Sequence, residues 1–364
     1  MLQLIKQQAE DIFNPFKVIP YGRQSITDAD IQSVTKVLKS TNLTQGPKVT
    51  EFEKSLSKTT QSEYAIAVNS GTSALHIACL AAGVQSGDEV ITSPNTFVAS
   101  ANCAVYCNAV PVFADIDMRT FNIDPSEIEK RITAKTKAII PVHFAGQSAE
   151  MDFINQIVKA AESRFGHKIY IVEDASHALG SSYKEKEVGS CYYSDMTVLS
   201  FHPVKHVTTG EGGAVLTNDI ELLKKLKIFK SHGITNDPSL LQNNLGPWYY
   251  EQVKLGYNYR ITDMQCALGV SQLKRLDIFK KRRREVVERY NSELQGIPHL
   301  QLPFESEDCN SNFHLYVILY NFKKADTTRN EFMKALLDMK ILTQLHYIPV
   351  HTQPFYKKNY GTKW

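Results

Sequence analysis

Apolar positions recur along the chain in two alternating rhythms. Short runs of β-branched and small apolar residues read as buried strands at 64–68, 89–93, 110–114, 136–142, 169–173, 196–200 and 213–217. Between them, apolar residues spaced three and four apart read as amphipathic helices. Residues 26–40 predict a helix capped by Thr27, 42–47 a polar turn, and 51–56 a second helix. Strands alternating with helices, without repeats or low-complexity linkers, point to an α/β fold built on one large, mostly parallel seven-stranded sheet. Beyond Ile261 a helical pattern runs to about Leu294, followed by a strand-like 313–320 and a helix near 329–339, which suits a smaller C-terminal α/β domain. The expected organisation is an N-terminal arm at 1–18, a large domain at 19–260 and a small domain at 261–364. The arm lacks the apolar block of a signal peptide. No stretch approaches the roughly 18 apolar residues of a membrane span, so a cytoplasmic protein without a membrane partner is expected.

Composition narrows the function classes. With 364 residues, 43% of them hydrophobic, the chain can bury a large core. A net charge of +3 from interspersed acidic and basic residues gives no field for nucleic acid. The one dense basic run, Lys280 to Arg284, lies inside a helical pattern and reads as a solvated helix face. Six scattered cysteines, Cys79, Cys103, Cys107, Cys191, Cys266 and Cys309, read as reduced, buried thiols. Cys103 and Cys107 share a helical face, but no second ligand pair accompanies them, so no metal is expected.

Three segments at predicted strand ends carry candidate chemistry. In VNSGTSALH, Val68 to His76, a strand ends at a Gly-Thr-Ser turn and a helix begins with Ala74 and Leu75. Free amides at a helix N-terminus, with the Thr72 and Ser73 hydroxyls, suit a phosphate; Thr72 acting only as the helix cap is the plain alternative. In YIVEDASHALG, Tyr170 to Gly180, a buried strand ends in Glu173 and Asp174, with His177 three positions on. A carboxylate at the carboxyl end of a parallel strand stands where α/β proteins bind ligands, and opposite a pyridine ring it keeps the ring nitrogen protonated. The alternative is a cap on the next helix. In SFHPVKHVTTGEGG, Ser200 to Gly213, Lys205 lies in a polar, glycine-bounded loop with Ser200 and His202 nearby. Its amine can form a Schiff base with an aldehyde and shuttle a proton afterwards.

Taken together, these segments resemble the DegT/DnrJ/EryC1/StrS sugar aminotransferases, which are fold type I pyridoxal 5'-phosphate (PLP) enzymes; the resemblance runs from about Ile19 onwards. It implies an aspartate-aminotransferase-like fold, PLP as cofactor, and a homodimer whose active sites are shared between subunits. By position it implies Lys205 as the Schiff-base lysine, Asp174 as partner of the pyridine nitrogen and Phe97, in SPNTFVAS, as the ring stacked on the cofactor. It further implies Gly71, Thr72, Ser73 and Ser200 at the phosphate, and Asn258, in GYNYR, reaching the neighbouring subunit's cofactor. His177 stands where many relatives have glutamine, against the opposite cofactor face or its phenolic oxygen.

LTQG at Leu43 to Gly46, DASHALGS, FHPVK, SHG at Ser231 to Gly233 and QLHYIPV at Gln344 to Val350 resemble the branch that aminates carbon 4 of a uridine-diphosphate (UDP) keto sugar on the way to pseudaminic acid. That implies L-glutamate as amino donor and substrate contacts from Tyr21, from Thr41, Asn42, Leu43 and Thr44, and from Gln344, Leu345, His346 and Tyr347; Tyr21 and Tyr347 also read as packed aromatics. The alternatives are an aminotransferase of a bacillosamine- or legionaminic-acid-type pathway, and a PLP-dependent sugar dehydratase, whose relatives carry histidine in place of Lys205. A non-catalytic relative would lack Lys205 or Asp174. A nicotinamide enzyme would need a G-x-G-x-x-G turn after the first strand, which is missing. The chain stops at Trp364 in what reads as a loop, where relatives continue, so the small domain is expected to be incomplete at its end.

Overall fold

The computed structural model describes residues 18–243 and 245–362; most of the expected arm, and Trp364, lie outside them. All seven expected strands form, as β1 (Tyr64–Val68), β2 (Glu89–Thr92), β3 (Val110–Phe113), β4 (Thr136–Ile140), β5 (Tyr170–Asp174), β6 (Met196–Ser200) and β7 (Gly213–Thr217). They join in one sheet of order β1-β7-β6-β5-β4-β2-β3. Every neighbour pair is parallel except those of β7, which runs antiparallel to both β1 and β6. β4 stops two residues earlier than expected because Pro141 has no N–H to continue the ladder; Val142 returns only as an isolated bridge to Asp174.

Helices cover both faces. α1 (Asp28–Leu38) starts as the sequence predicts, with Thr27 and Asp30 in a reciprocal capping box. α2 (Pro47–Thr60) begins four residues before the expected 51. Its N-terminal amides are capped from far along the chain: the Asp263 carboxylate accepts from Gly46 N at 2.7 Å and Lys48 N at 2.8 Å. α3 (Gly71–Ala81), α4 (Ala99–Tyr106), α5 (Pro125–Arg131), α6 (Met151–Phe165) and α7 (Ile220–Lys230) follow. Strand alternation sorts the core. Ile66, Val68, Val198 and Val215 face Ala74, Leu75 and Ala78 of α3 and Leu226 of α7. Ala65, Ala67, Leu199 and Leu216 face the side of Phe52 and Leu56 on α2, which the next helix also covers.

That next helix is one half of a correction. The expected continuous segment after Ile261 is two helices, α8 (Asp263–Leu273) and α9 (Leu276–Leu294). The break falls at Arg275, whose guanidinium reaches back to the buried Asp30 carboxylate at 2.8 Å. α8 buries Cys266 and Val270 in the same core as Phe52. The strand-like 313–320 also fails in large part: only Leu319–Tyr320 is a strand, paired with Leu300–Gln301. Phe313 takes a positive φ of 48°, and the Arg283 guanidinium donates to the carbonyls of Phe313 and His314. The basic run is therefore not a uniform solvated face: Arg282 is exposed, while Arg283 ties α9 to this turn and Arg284 pairs with Glu305 at 2.9 Å.

α10 (Arg329–Asp338) is capped by Thr328 and Glu331. α11 (Pro354–Tyr360) folds the end of the described chain back onto α4, where Val350 and Tyr356 pack on Ala101. Among the described residues the cysteines are free, no cluster suits a metal ion, and no helix is long and apolar enough to cross a membrane.

Candidate active site

The carboxyl ends of β1, β5 and β6 and the amino end of β7 share one edge of the sheet. Gly213 pairs with Val68 on one side and Ser200 on the other, which sets the start of α3 directly on Ser200. A Cβ on Gly71 would stand 3.0 Å from Ser200 Cβ, and one on Gly213 only 2.4 Å from the Ser70 carbonyl oxygen. α3 starts at Gly71, earlier than expected, and its cap is Ser70, whose Oγ accepts from Ser73 N at 3.0 Å; the alternative of Thr72 as cap is overturned. Ser73 Oγ donates to Asn69 Oδ1 at 2.7 Å. The Gly71 and Thr72 amides and the Thr72 and Ser200 hydroxyls are left to line a hollow suited to a phosphate. Gly213→Ala is expected to cost about 1–3 kcal/mol by overpacking this junction, read as a lower urea midpoint.

Beside the turn, GYNYR runs along β1: Asn69 N donates to Tyr259 O at 2.9 Å and Asn69 Nδ2 to Asn258 O at 3.3 Å. Asn258 thus lies, with its side chain exposed, next to the hollow.

Asp174 ends β5 and is 5% exposed. Its Oδ2 accepts from Ser100 Oγ at 2.6 Å; its Oδ1 accepts from Ser176 Oγ at 2.6 Å and Ser176 N at 3.1 Å. Lys205 follows β6 in the loop that returns to β7 and is half-buried. Burial lowers its amine to about 8, against the opposing pull of the Asp174 charge. An amine so shifted is a far better nucleophile near neutral pH than a surface lysine.

His177 lies in the turn after Asp174. Its Nδ1 accepts from Ala145 N at 3.3 Å, so the neutral ring carries its proton on Nε2, 3.3 Å from Tyr347 Oη. Burial first, and then the Lys205 charge, hold His177 well below the ordinary histidine range. It is therefore a neutral hydrogen-bond donor beside Lys205. Phe97, 58% exposed, stands at the entrance to α4 with its ring 6.5 Å from that of Tyr347.

Residues far apart in sequence converge here. Tyr21 packs on His346 with ring centroids 5.5 Å apart, and a Cβ on Gly22 would stand 3.4 Å from the Cβ of Val204, the neighbour of Lys205. His346 and Tyr347 thereby join the group, with Tyr347 N donating to Asn95 Oδ1 at 3.2 Å. Gln344 and Leu345 are exposed on the same segment. The Thr41 to Thr44 stretch is placed differently: Leu43 O accepts from Asp263 N and Thr44 bridges Thr262. Among the described residues no hydrogen bond ties this stretch to Lys205 or Asp174.

Several buried groups escaped the sequence reading. Ser100, in the first turn of α4, and Thr96, in the loop just before it, sit in line behind Asp174. His143 Nδ1 accepts from Ala149 N, so its Nε2–H donates to Glu173 at 2.6 Å. Burial alone would push the Glu173 carboxyl up, but His143, Ser194 and Thr197 together hold it low. Thr96 lies before α4 and Ser100 in its first turn, and nothing in the sequence relates either to Asp174, 74 residues on from Ser100.

Comparison with known proteins places this geometry. The profile of the DegT/DnrJ/EryC1/StrS aminotransferase family matches residues 24–364. The spore coat polysaccharide biosynthesis protein SpsC of Bacillus subtilis is 44% identical over 95% of this chain and 87% of its own length. The UDP-4-amino-4,6-dideoxy-N-acetyl-beta-L-altrosamine transaminase of Campylobacter jejuni is 40% identical over 94% of this chain and 87% of its own. Among solved structures, Helicobacter pylori PseC, an aminotransferase involved in the biosynthesis of pseudoaminic acid, superposes with a TM-score of 0.86 at 34% identity, covering 95% of this chain and 89% of that one.

Proposed function

Because this chain belongs to the DegT/DnrJ/EryC1/StrS aminotransferase family, whose cofactor is PLP, we propose that it transfers the amino group of L-glutamate to carbon 4 of a UDP-linked 4-keto-6-deoxy-N-acetylhexosamine on the route to pseudaminic acid. The observation that carries this reading is the half-buried Lys205, whose amine is lowered to about 8 by burial within the influence of the Asp174 charge, beside the hollow at Gly71 and Ser200. The turn fits the cofactor's phosphate, because the glycines at 71 and 213 let the start of α3 pack directly on Ser200, which sets the Gly71 and Thr72 amides beside the Ser200 hydroxyl. When bound, PLP supplies an aldehyde that links amines covalently and a pyridinium ring that withdraws electrons.

The chain's own residues do the rest. Gly71, Thr72, Ser73 and Ser200 hold the phosphate, joined by Asn258 from the neighbouring subunit of a homodimer. Asp174 holds the proton of the ring nitrogen. Phe97 and His177 would hold the ring, with His177 Nε2–H as a neutral donor that adds no second cation beside Lys205. Lys205 Nζ would anchor the cofactor's aldehyde and, once free, would act as the base that takes up and returns a proton. Held next to the reacting atoms, it needs no diffusional encounter, an advantage of roughly 7–11 kcal/mol for a well-oriented group. Tyr21 and the segments at Thr41 to Thr44 and Gln344 to Tyr347 bind the substrates, in the cytoplasm.

The Campylobacter jejuni relative's name specifies both the UDP group and an amine at carbon 4, which supports this substrate. SpsC, at 44% identity, is named for spore coat polysaccharide biosynthesis, a different product, and this keeps open a second reading: a UDP-4-keto sugar of another amino-sugar pathway, bacillosamine or legionaminic acid in type. Assay of glutamate-dependent amination over a panel of UDP keto sugars decides between them. The proposal expects the highest kcat/KM on the 4-keto-6-deoxy sugar of the altro series; a preference for another sugar establishes the second reading, and no amination of any UDP keto sugar sinks both.

A further inference from the structure

Asp174 is held by a relay of hydroxyl groups from the opposite side of the ligand site. Ser100, fully buried in α4, donates its single hydroxyl proton to Asp174 Oδ2 at 2.6 Å. Thr96 Oγ1 lies 2.7 Å from Ser100 Oγ and is itself buried. A carboxylate oxygen can only accept, so the Ser100 proton is committed to Asp174, and the Thr96 hydroxyl must be the donor to Ser100. The Phe97 carbonyl, 3.3 Å from Ser100 Oγ, competes only weakly for that proton. The two hydroxyl dipoles point the same way, toward the carboxylate, and hydrogen bonds in such a chain polarise one another where water is absent. Ser176 covers the other oxygen through its N–H and its hydroxyl.

We infer that Thr96 and Ser100 are positioning residues for the amino-transfer reaction: their aligned hydroxyls fix Asp174 and stabilise its charge, so that the proton shared with the cofactor's ring nitrogen stays on the ring. The inference rests on the proposed role of Asp174 toward that nitrogen. The same segment that leads into α4 carries both Thr96 of the relay and Phe97, the residue proposed to stack on the cofactor. Ser176 can be read from sequence as a local partner two residues from Asp174; the relay cannot, because it comes from a different strand-to-helix connection.

The test uses Ser100→Ala, Thr96→Val and Thr96→Ser in the full-length protein, alone and combined with Asp174→Asn. Ser100→Ala removes one charge-assisted hydrogen bond and is expected to lower kcat at least ~10-fold, with KM changed less than about twofold. Thr96→Val should act in the same direction more weakly, and Thr96→Ser, which keeps the hydroxyl, should restore the original rate. The readout independent of turnover is the pH at which the visible band of the PLP-loaded protein titrates. A ring that holds its proton less firmly withdraws less charge from the lysine-linked nitrogen, so this midpoint should rise in Ser100→Ala and in Thr96→Val. In the Asp174→Asn background neither change should lower kcat further, since residues acting as one unit do not add. An unmoved titration midpoint in Ser100→Ala, or full additivity with Asp174→Asn, overturns the relay even where thermal stability has fallen. If Asp174→Asn itself leaves turnover and the visible band unchanged, the proposed role of Asp174 fails instead.

Discussion

Lys205→Ala is expected to abolish multiple turnover and the visible absorbance of a lysine-linked cofactor, while the protein still folds and still binds PLP at the hollow beside Gly71 and Ser200. The loss is at least the roughly 10²- to 10⁴-fold that a positioned acid–base group contributes, plus the covalent anchor. Lys205→Arg should be just as inactive, because a guanidinium keeps the charge but cannot act as an amine nucleophile. A rate retained by Lys205→Arg would show that only the positive charge beside Asp174 matters. Small primary amines added to Lys205→Ala should restore a fraction of the activity, since they can accept and return the proton that Nζ moves.

The lowered amine value sharpens this prediction into a pH dependence. Lys205 loses its proton at about 8 because burial disfavours the ammonium form, with Asp174 pulling the other way. Capture of PLP by the cofactor-free protein needs the neutral amine, so its rate should climb with pH through about 8 and level above it. A midpoint near the ordinary lysine value of about 10.4 would mean that the amine is not buried in solution. The same shift bears on stability with a definite sign. Between about 8 and the unfolded lysine's value, the unfolded chain binds the extra proton, so the destabilisation that Lys205 imposes at neutral pH is relieved as pH rises through that window.

The strands were legible because each is a short apolar run closed by a turn, and a strand buried on both faces has no alternation to confuse the reading. The helix starts were legible only where the cap is local. Thr27 and Asp30 lie three apart and announce α1, whereas the cap of α2 is Asp263, a partner 215 residues on from Lys48. The break between α8 and α9 has no glycine or proline to mark it and coincides with a tertiary ion pair between Arg275 and Asp30. The segment at 313–320 has the composition of a strand, yet the contacts of Arg283 and the positive φ of Phe313 turn it. The site divides along the same line. Lys205, Asp174 and the Gly71 turn are visible because each ends a strand in its own motif. Thr96, Ser100 and the His143–Glu173 pair act through contacts between segments, so no window of sequence contains both partners.

Asp174→Asn is the second large effect expected, a fall in kcat of roughly 10²- to 10³-fold, the scale on which losing one preorganised electrostatic partner slows a reaction. The local geometry says why the fold should survive it. Ser176 N–H can only donate, so the amide oxygen must take the Oδ1 position, leaving the amide NH₂ toward Ser100. Ser100 can meet it by turning its hydroxyl proton to the Phe97 carbonyl and accepting from both the amide and Thr96, so a charge-assisted bond becomes a neutral one. The expected cost in stability is therefore about 1 kcal/mol, the difference between those two kinds of hydrogen bond. The chemical cost would be far larger, because an amide NH₂ toward the nitrogen of a bound cofactor's ring would be a donor facing a donor, where the carboxylate would be an acceptor. The visible band should then titrate at higher pH than in the unsubstituted protein. Equal losses in melting temperature and in rate would assign Asp174 to the fold alone; a large rate loss with a near-unchanged melt, together with the raised titration midpoint, assigns it to the ring.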